Sequence, residues 1–128
     1  MSLASRYTID GEAAENGKWM VTQEGVEVKV AKLGNKNFKR VLSRLQKPYL
    51  AILRSSKGDS ELSSRLTTEA MAKTILLDWK ETDEKGNPIP YTWKAGYDAF
   101  MKYEEFLDDV SDLAASRNNF RPEEIAEK

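Results

Sequence analysis

The apolar residues of this chain change their spacing at Gly34, and that switch limits the folds open to it. Ahead of it, Val26, Val28 and Val30 alternate with Glu27 and Lys29, the two-residue period of a strand with one buried face. Trp19-Met20-Val21-Thr22 stands on the other side of Gln23-Glu24-Gly25, so a β-hairpin is expected. Tyr7-Thr8-Ile9 is a further β-prone run, followed by a connection containing Glu, Ala and Gly. Two strands alone are not stable, so the hairpin must lie on helices or on another chain.

Behind Gly34 the spacing becomes helical. Phe38, Val41, Leu42 and Leu45 recur at i, i+3, i+4 and i+7, with Asn35 or Asn37 able to cap. Pro48 interrupts, yet Tyr49, Leu50, Ile52 and Leu53 prolong the same face, which predicts a kink or a second short helix. Residues 55–60 read as a loop carrying a cap, and Leu62 and Leu66 follow. Thr67 or Thr68 is then expected to open a helix that carries Ala70, Met71, Ile75, Leu76, Leu77 and Trp79. Residues 80–92 are a break, because Gly86-Asn87-Pro88 supplies turn chemistry and Pro88 and Pro90 oppose regular structure. Thr92 caps a helix from Trp93, and Tyr97, Phe100, Met101, Phe106, Leu107, Val110, Leu113 and Ala114 extend its apolar face. This stretch to about 117 is one long helix or two abutting ones, ended by Asn118-Asn119.

The expected fold is therefore mainly α with a small N-terminal β-hairpin (α+β), a compact helical domain of four to five helices. Residues 1–34 would be the β-hairpin element packed on the helical part, 35–120 the helical domain, and 121–128 a flexible C-terminal tail.

With no Cys and no His among 128 residues, the chain lacks thiolate nucleophiles, Ser-His dyads, zinc fingers and imidazole acid-base chemistry. Carboxylates, lysines, hydroxyls and oxygen-ligated metals remain. Glu104, Glu105, Asp108, Asp109 and Asp112 contain i, i+4 pairs that could face a hard cation. No second acidic helix matches them and no glycine loop positions ligands, so they read as a solvated face. The seven glycines are scattered and form no phosphate cradle. No catalytic, cofactor-binding or metal residue is expected, and no enzyme. The longest apolar runs, Ala51–Leu53 and Ile75–Leu77, fall far short of the roughly 18 residues that span a bilayer. Met1–Asp10 holds no apolar core of a secretory signal, and a cytoplasmic protein is expected.

The formal charge of −1 hides an uneven layout. Nine bases and no acid lie between Lys29 and Lys57, whereas nine acids face four bases between Asp98 and Lys128. Solvated helix faces explain such asymmetry, and it can also align a basic surface of one copy with an acidic surface of the next. Lys36, Arg40, Arg44 and Lys47 form a ridge at i, i+4 spacing. An acidic pI and the absence of a recognisable nucleic-acid-binding signature make this a solvent face, with no nucleic-acid partner expected. Seven rings, from Trp79 to Phe106, crowd 28 residues. Most must be core, and the surplus could serve a partner helix on the two C-terminal helices.

One stretch carries a family resemblance. Leu76-Leu77-Asp78-Trp79, the linker Asp83-Glu84-Lys85-Gly86-Asn87-Pro88-Ile89-Pro90-Tyr91, the capping Thr92 and the Phe106–Arg121 stretch resemble tail assembly chaperones of long-tailed siphophages, the HK97-like family, over about residues 60 to 122. The resemblance implies a non-enzymatic protein of virion assembly. It would bind the tape measure protein, keep it soluble and bring tail tube protein around it, in part through a longer frameshifted form. It would self-associate, act in the host cytoplasm and be absent from the mature virion. The rival expectations are a virion-incorporated tail or connector subunit and a small nucleic-acid-binding regulator.

Overall fold

The structure is a computed structural model that describes residues 2–55 and 60–122. Most of the loop expected at 55–60 and all but two residues of the expected tail lie outside the described residues.

The chain opens with two short helices, α1 (Leu3–Tyr7) and α2 (Gly11–Asn16). Tyr7 thus ends a helix rather than belonging to a strand, and the connection expected after it is helical. Asp10 explains the second difference: its carboxylate accepts from the N–H groups of Glu12 and Ala13, satisfying donors that a new helix leaves open. Gly17 then turns the chain at φ +86°, where a Cβ would lie 2.8 Å from Leu77 Cδ1. Only glycine suits both that backbone and that contact.

The hairpin follows as expected, with β1 (Lys18–Val21) antiparallel to β2 (Glu27–Val30). Val28 and Val30 are fully buried, as their alternation requires. Asn35 caps α3 (Lys36–Gln46), accepting from Phe38 N–H at 2.9 Å and donating to the Lys32 carbonyl at 2.8 Å. A 3₁₀ turn over Lys47–Tyr49 absorbs Pro48, and α4 (Leu50–Arg54) continues from it.

The largest correction concerns the segment around residue 75. Helix α5 runs from Ser60 to Thr74, so Thr67 and Thr68 lie inside it, their hydroxyls donating to the carbonyls of Ser63 and Ser64. The chain then becomes strand β3 (Leu76–Trp79) where the sequence suggested more helix. The open edge of β2 decides the matter. β3 pairs antiparallel with it, Val30 opposite Leu76 and Val28 opposite Trp79, with an irregularity between Lys29 and Val30. A short apolar run such as Ile75-Leu76-Leu77 suits either structure, and the tertiary partner selects the strand. The sheet order is β1-β2-β3.

Residues 80–92 are more regular than their two prolines suggest. β4 (Glu81–Thr82) and β5 (Pro88–Ile89) form a two-residue antiparallel ribbon. The Asp83 carboxylate closes its turn by accepting from Lys85 and Asn87 N–H, both at 2.9 Å. Pro88 is tolerated because it begins a strand of a two-stranded ribbon. Thr92 caps α6 (Trp93–Lys102), accepting from Ala95 N–H at 3.1 Å. The chain breaks at Tyr103 and restarts as α7 (Glu104–Ala115). This elbow brings Phe106 onto Phe100, ring centroids 5.4 Å apart. A 3₁₀ turn over Arg117–Phe120 follows, and Asn119 donates its amide to the Leu113 carbonyl.

The fold is mainly α with a small antiparallel sheet, and five of its α-helices, α3 to α7, lie within 35–120. One core joins its parts: Val28 and Val30 of the sheet meet Met71, Ile75 and Leu76, and behind them Phe100, Val110 and Ala114.

Candidate functional site

The aromatic crowd of the C-terminal half is spent mostly on packing. Trp79 meets Tyr91 edge to face at 5.0 Å and Phe106 at 6.4 Å. Trp93, Tyr97, Phe106, Leu107 and Leu113 lie half-buried against the core, and Phe100 and Val110 are inside it. The Tyr91 hydroxyl donates to the Ala72 carbonyl across the α5–α6 junction, and Trp79 Nε1 donates to the Ile89 carbonyl at 2.9 Å. Burial, with the Asp78 carboxylate adding to it, pushes the Tyr91 phenol above its ordinary range. Tyr91 seats directly against Gly96, where a Cβ would come within 2.7 Å of its Cε1. Of the residues expected on the C-terminal apolar face, Met101 alone is open, at 53% exposure, joined by Tyr103 at the elbow.

Further open apolar side chains lie elsewhere: Leu3, Tyr7, Trp19 and Val21 in the N-terminal part, and a cluster on the segment that follows α3. Helix α3 is the most strongly amphipathic of the four longer helices among the described residues, and it packs along α5 without burying one residue completely. Beyond Pro48 its continuation leaves the body: Tyr49 and Leu50 are nearly 40% exposed and Ile52 50%. Residues 36–54 therefore form an arm with an apolar tip. Lys36, Lys39, Arg40, Arg44, Lys47 and Arg54 lie along the arm, the last three nearest its tip, with no acid in the stretch. Lys36 approaches Glu15 at 3.6 Å; among the described residues no carboxylate pairs with Lys39, Arg44, Lys47 or Arg54. The tip residues follow the helical period, so the sequence locates them on the right face. What the spacing does not show is how much of that face stays open beyond Pro48, where Leu53 is half-buried but Tyr49, Leu50 and Ile52 are exposed.

A second surface lies at the opposite pole of charge. The β4–β5 ribbon, the turn of the hairpin and the α6–α7 elbow enclose an open groove of about 880 Å³. Val26, Trp79, Ile89, Ala99 and Phe106 supply its apolar floor. Glu24, Glu81, Glu104, Glu105 and Asp109 stand around it, and among the described residues no Lys or Arg lines it. None of these five carboxylates is ion-paired among the described residues. The sequence alone assigns the acids of α7 to a solvated face. It could not place Glu24 and Glu81 beside them, because those come from two other elements.

No group of three or more metal-ligating side chains is assembled among the described residues, so the acids of α7 do not converge on a point. No helix among those residues is long and apolar enough to cross a membrane. The basic ridge Lys36, Arg40, Arg44 and Lys47 is exposed along α3, as its spacing indicates.

No curated protein and no solved structure matches the chain. One family does: the family model described as YdaY prophage protein matches residues 33–128, which takes in the whole arm, β3, the ribbon and both C-terminal helices. A match over that share of the sequence establishes that this chain belongs to the YdaY prophage protein family and is of phage origin.

Proposed function

We propose that the protein is a non-enzymatic tail assembly chaperone. In the host cytoplasm it covers the apolar helices of a tape measure protein and keeps that client soluble until tail tube protein surrounds it. Phage origin supports this reading, as does the likeness of residues 60 to 122 to siphophage tail assembly chaperones. The observation that carries it is the α3–α4 arm, which holds Tyr49, Leu50 and Ile52 away from a body whose core is closed. Each such side chain gains about 1.5–3 kcal/mol when fully covered, and roughly half of that is still available here. A client offering a long amphipathic surface can engage many copies, so modest contacts add through multivalency. The exposed cations beside the tip would orient it on a client carrying acidic flanks.

The test is co-expression with the tape measure gene of the same phage, scoring soluble client. The wild-type chain should raise soluble client severalfold, and the double variant Leu50→Glu, Ile52→Glu, still folded by circular dichroism, should not. If the client stays insoluble with the wild type, or is rescued equally by the arm variant, the reading fails. Recovery of the protein from purified particles would instead favour a virion subunit.

A further inference from the structure

We propose that, without client, the arm of one copy lies in the acid-rimmed groove of a second copy, so that copies associate head to tail. The inference builds on the arm as the adhesive element named above, but it does not depend on the identity of the client.

Three observations converge on this occupant. The arm carries six bases and no acid, and among the described residues the groove is lined by five carboxylates and no base. Among the described residues neither set of charges is ion-paired within one copy, apart from the single approach of Lys36 to Glu15. Their apolar parts also correspond. Tyr49, Leu50 and Ile52 form a short helical tip, and Val26, Trp79, Ile89, Ala99 and Phe106 form an open apolar floor of a size that receives a few side chains. Finally, no residue of the arm lines the groove of its own copy, and α3 is held along α5. Closing the contact within one chain would require that packing to be given up, whereas a neighbour can supply its arm without rearrangement.

The contact is heterologous, because each copy contributes a different surface to each of two neighbours, and it yields open chains or closed rings. Opposite potentials draw the surfaces together over about a Debye length and fix their register; burial of the tip then holds them. Association hides the arm until a client competes for it. It also removes the exposed apolar surface that would otherwise drive unspecific aggregation.

The test uses the full chain alone in sedimentation velocity, at about 0.05 M and about 0.5 M salt. The expected result is a mass above monomer that grows with concentration and falls at least tenfold in apparent association constant at the higher salt. Two variants locate the contact: Glu104→Lys, Glu105→Lys on the rim, and Arg44→Glu, Lys47→Glu on the arm. Each should be folded and alone shift toward monomer, and an equimolar mixture should associate again, since the acidic arm of one then meets the basic rim of the other. A wild type that stays monomeric up to about 1 mM overturns the proposal. So does association that survives both reversals, or a mixture of two folded variants that remains monomeric. The rim variant should still solubilise the tape measure client, so loss of self-association and loss of chaperone activity are separable.

Discussion

Helices α3 and α5 lie side by side, and they divide the work of an amphipathic helix in opposite ways. α3 has the sharper separation of apolar and charged faces, yet none of its residues is fully buried. α5 has a weak pattern and buries Leu66, Thr68, Ala70, Met71, Ala72 and Thr74. The reason is position. α5 is covered by α3, α6 and β3 from several sides, so small residues and self-satisfied threonines suit it. The buried hydroxyls of Thr68 and Thr74 donate back to the carbonyls of Ser64 and Ala70, which removes the penalty of placing them inside. α3 packs chiefly on α5 and is otherwise largely open, so a sharp pattern suits it. The strong apolar stripe of α3 therefore marks an outer element, and past Pro48 it runs on into side chains that are largely open.

The sharpest way to break that comparison is to empty the core beside α5. Phe100→Ala removes a ring that is 1% exposed and stacked on Phe106, and should cost about 3–5 kcal/mol in urea unfolding. A loss near 1 kcal/mol would mean that α6 is as loosely held as the arm.

A smaller effect comes from the α5–α6 junction. Tyr91→Phe removes the hydrogen bond to the Ala72 carbonyl and should cost about 1–2 kcal/mol near neutral pH. The wild type should also lose stability in alkali. Its folded phenol has a raised pKa, so the contribution is whole below the unfolded value of about 10 and declines as pH rises through the folded value. Above about pH 10 the unfolded chain releases the proton and the folded chain retains it. Unfolding curves at pH 8 and about pH 11 should therefore converge for wild type and variant as pH rises.

The smallest effect belongs to the arm. Ile52→Ser, at a half-exposed site, should change stability by no more than about 0.5 kcal/mol while still weakening self-association. If it destabilises the monomer by 2 kcal/mol or more, the tip is packed in solution and both docking proposals lose their basis.

How much of this was legible in the sequence follows from the range of the forces involved. The hairpin, the Asn35 and Thr92 caps and the interruption at Pro48 are local, set by residues within four positions of one another, and the pattern locates each of them. The strand at Leu76–Trp79 is not local. It exists because Val28 and Val30 present an unpaired edge far away along the chain, and nothing within a helical turn of Ile75 announces that edge. The groove was illegible for the same reason, since its floor and rim come from the hairpin, the ribbon and two helices. The unequal distribution of charge was visible from composition along the chain, but not that the two signs would stand on separate, differently shaped surfaces. Family membership came from the match over residues 33–128 and not from any single motif.

The pairing of Val30 with Leu76 sets a timetable for synthesis. A ribosome adding about 5–20 residues per second needs several seconds to travel from the middle strand to its second partner. Throughout that interval the emerging hairpin exposes an unsatisfied ladder and two valines meant for the interior. Slowing or speeding translation between positions 31 and 79 therefore changes how long that edge stands open before its partner arrives.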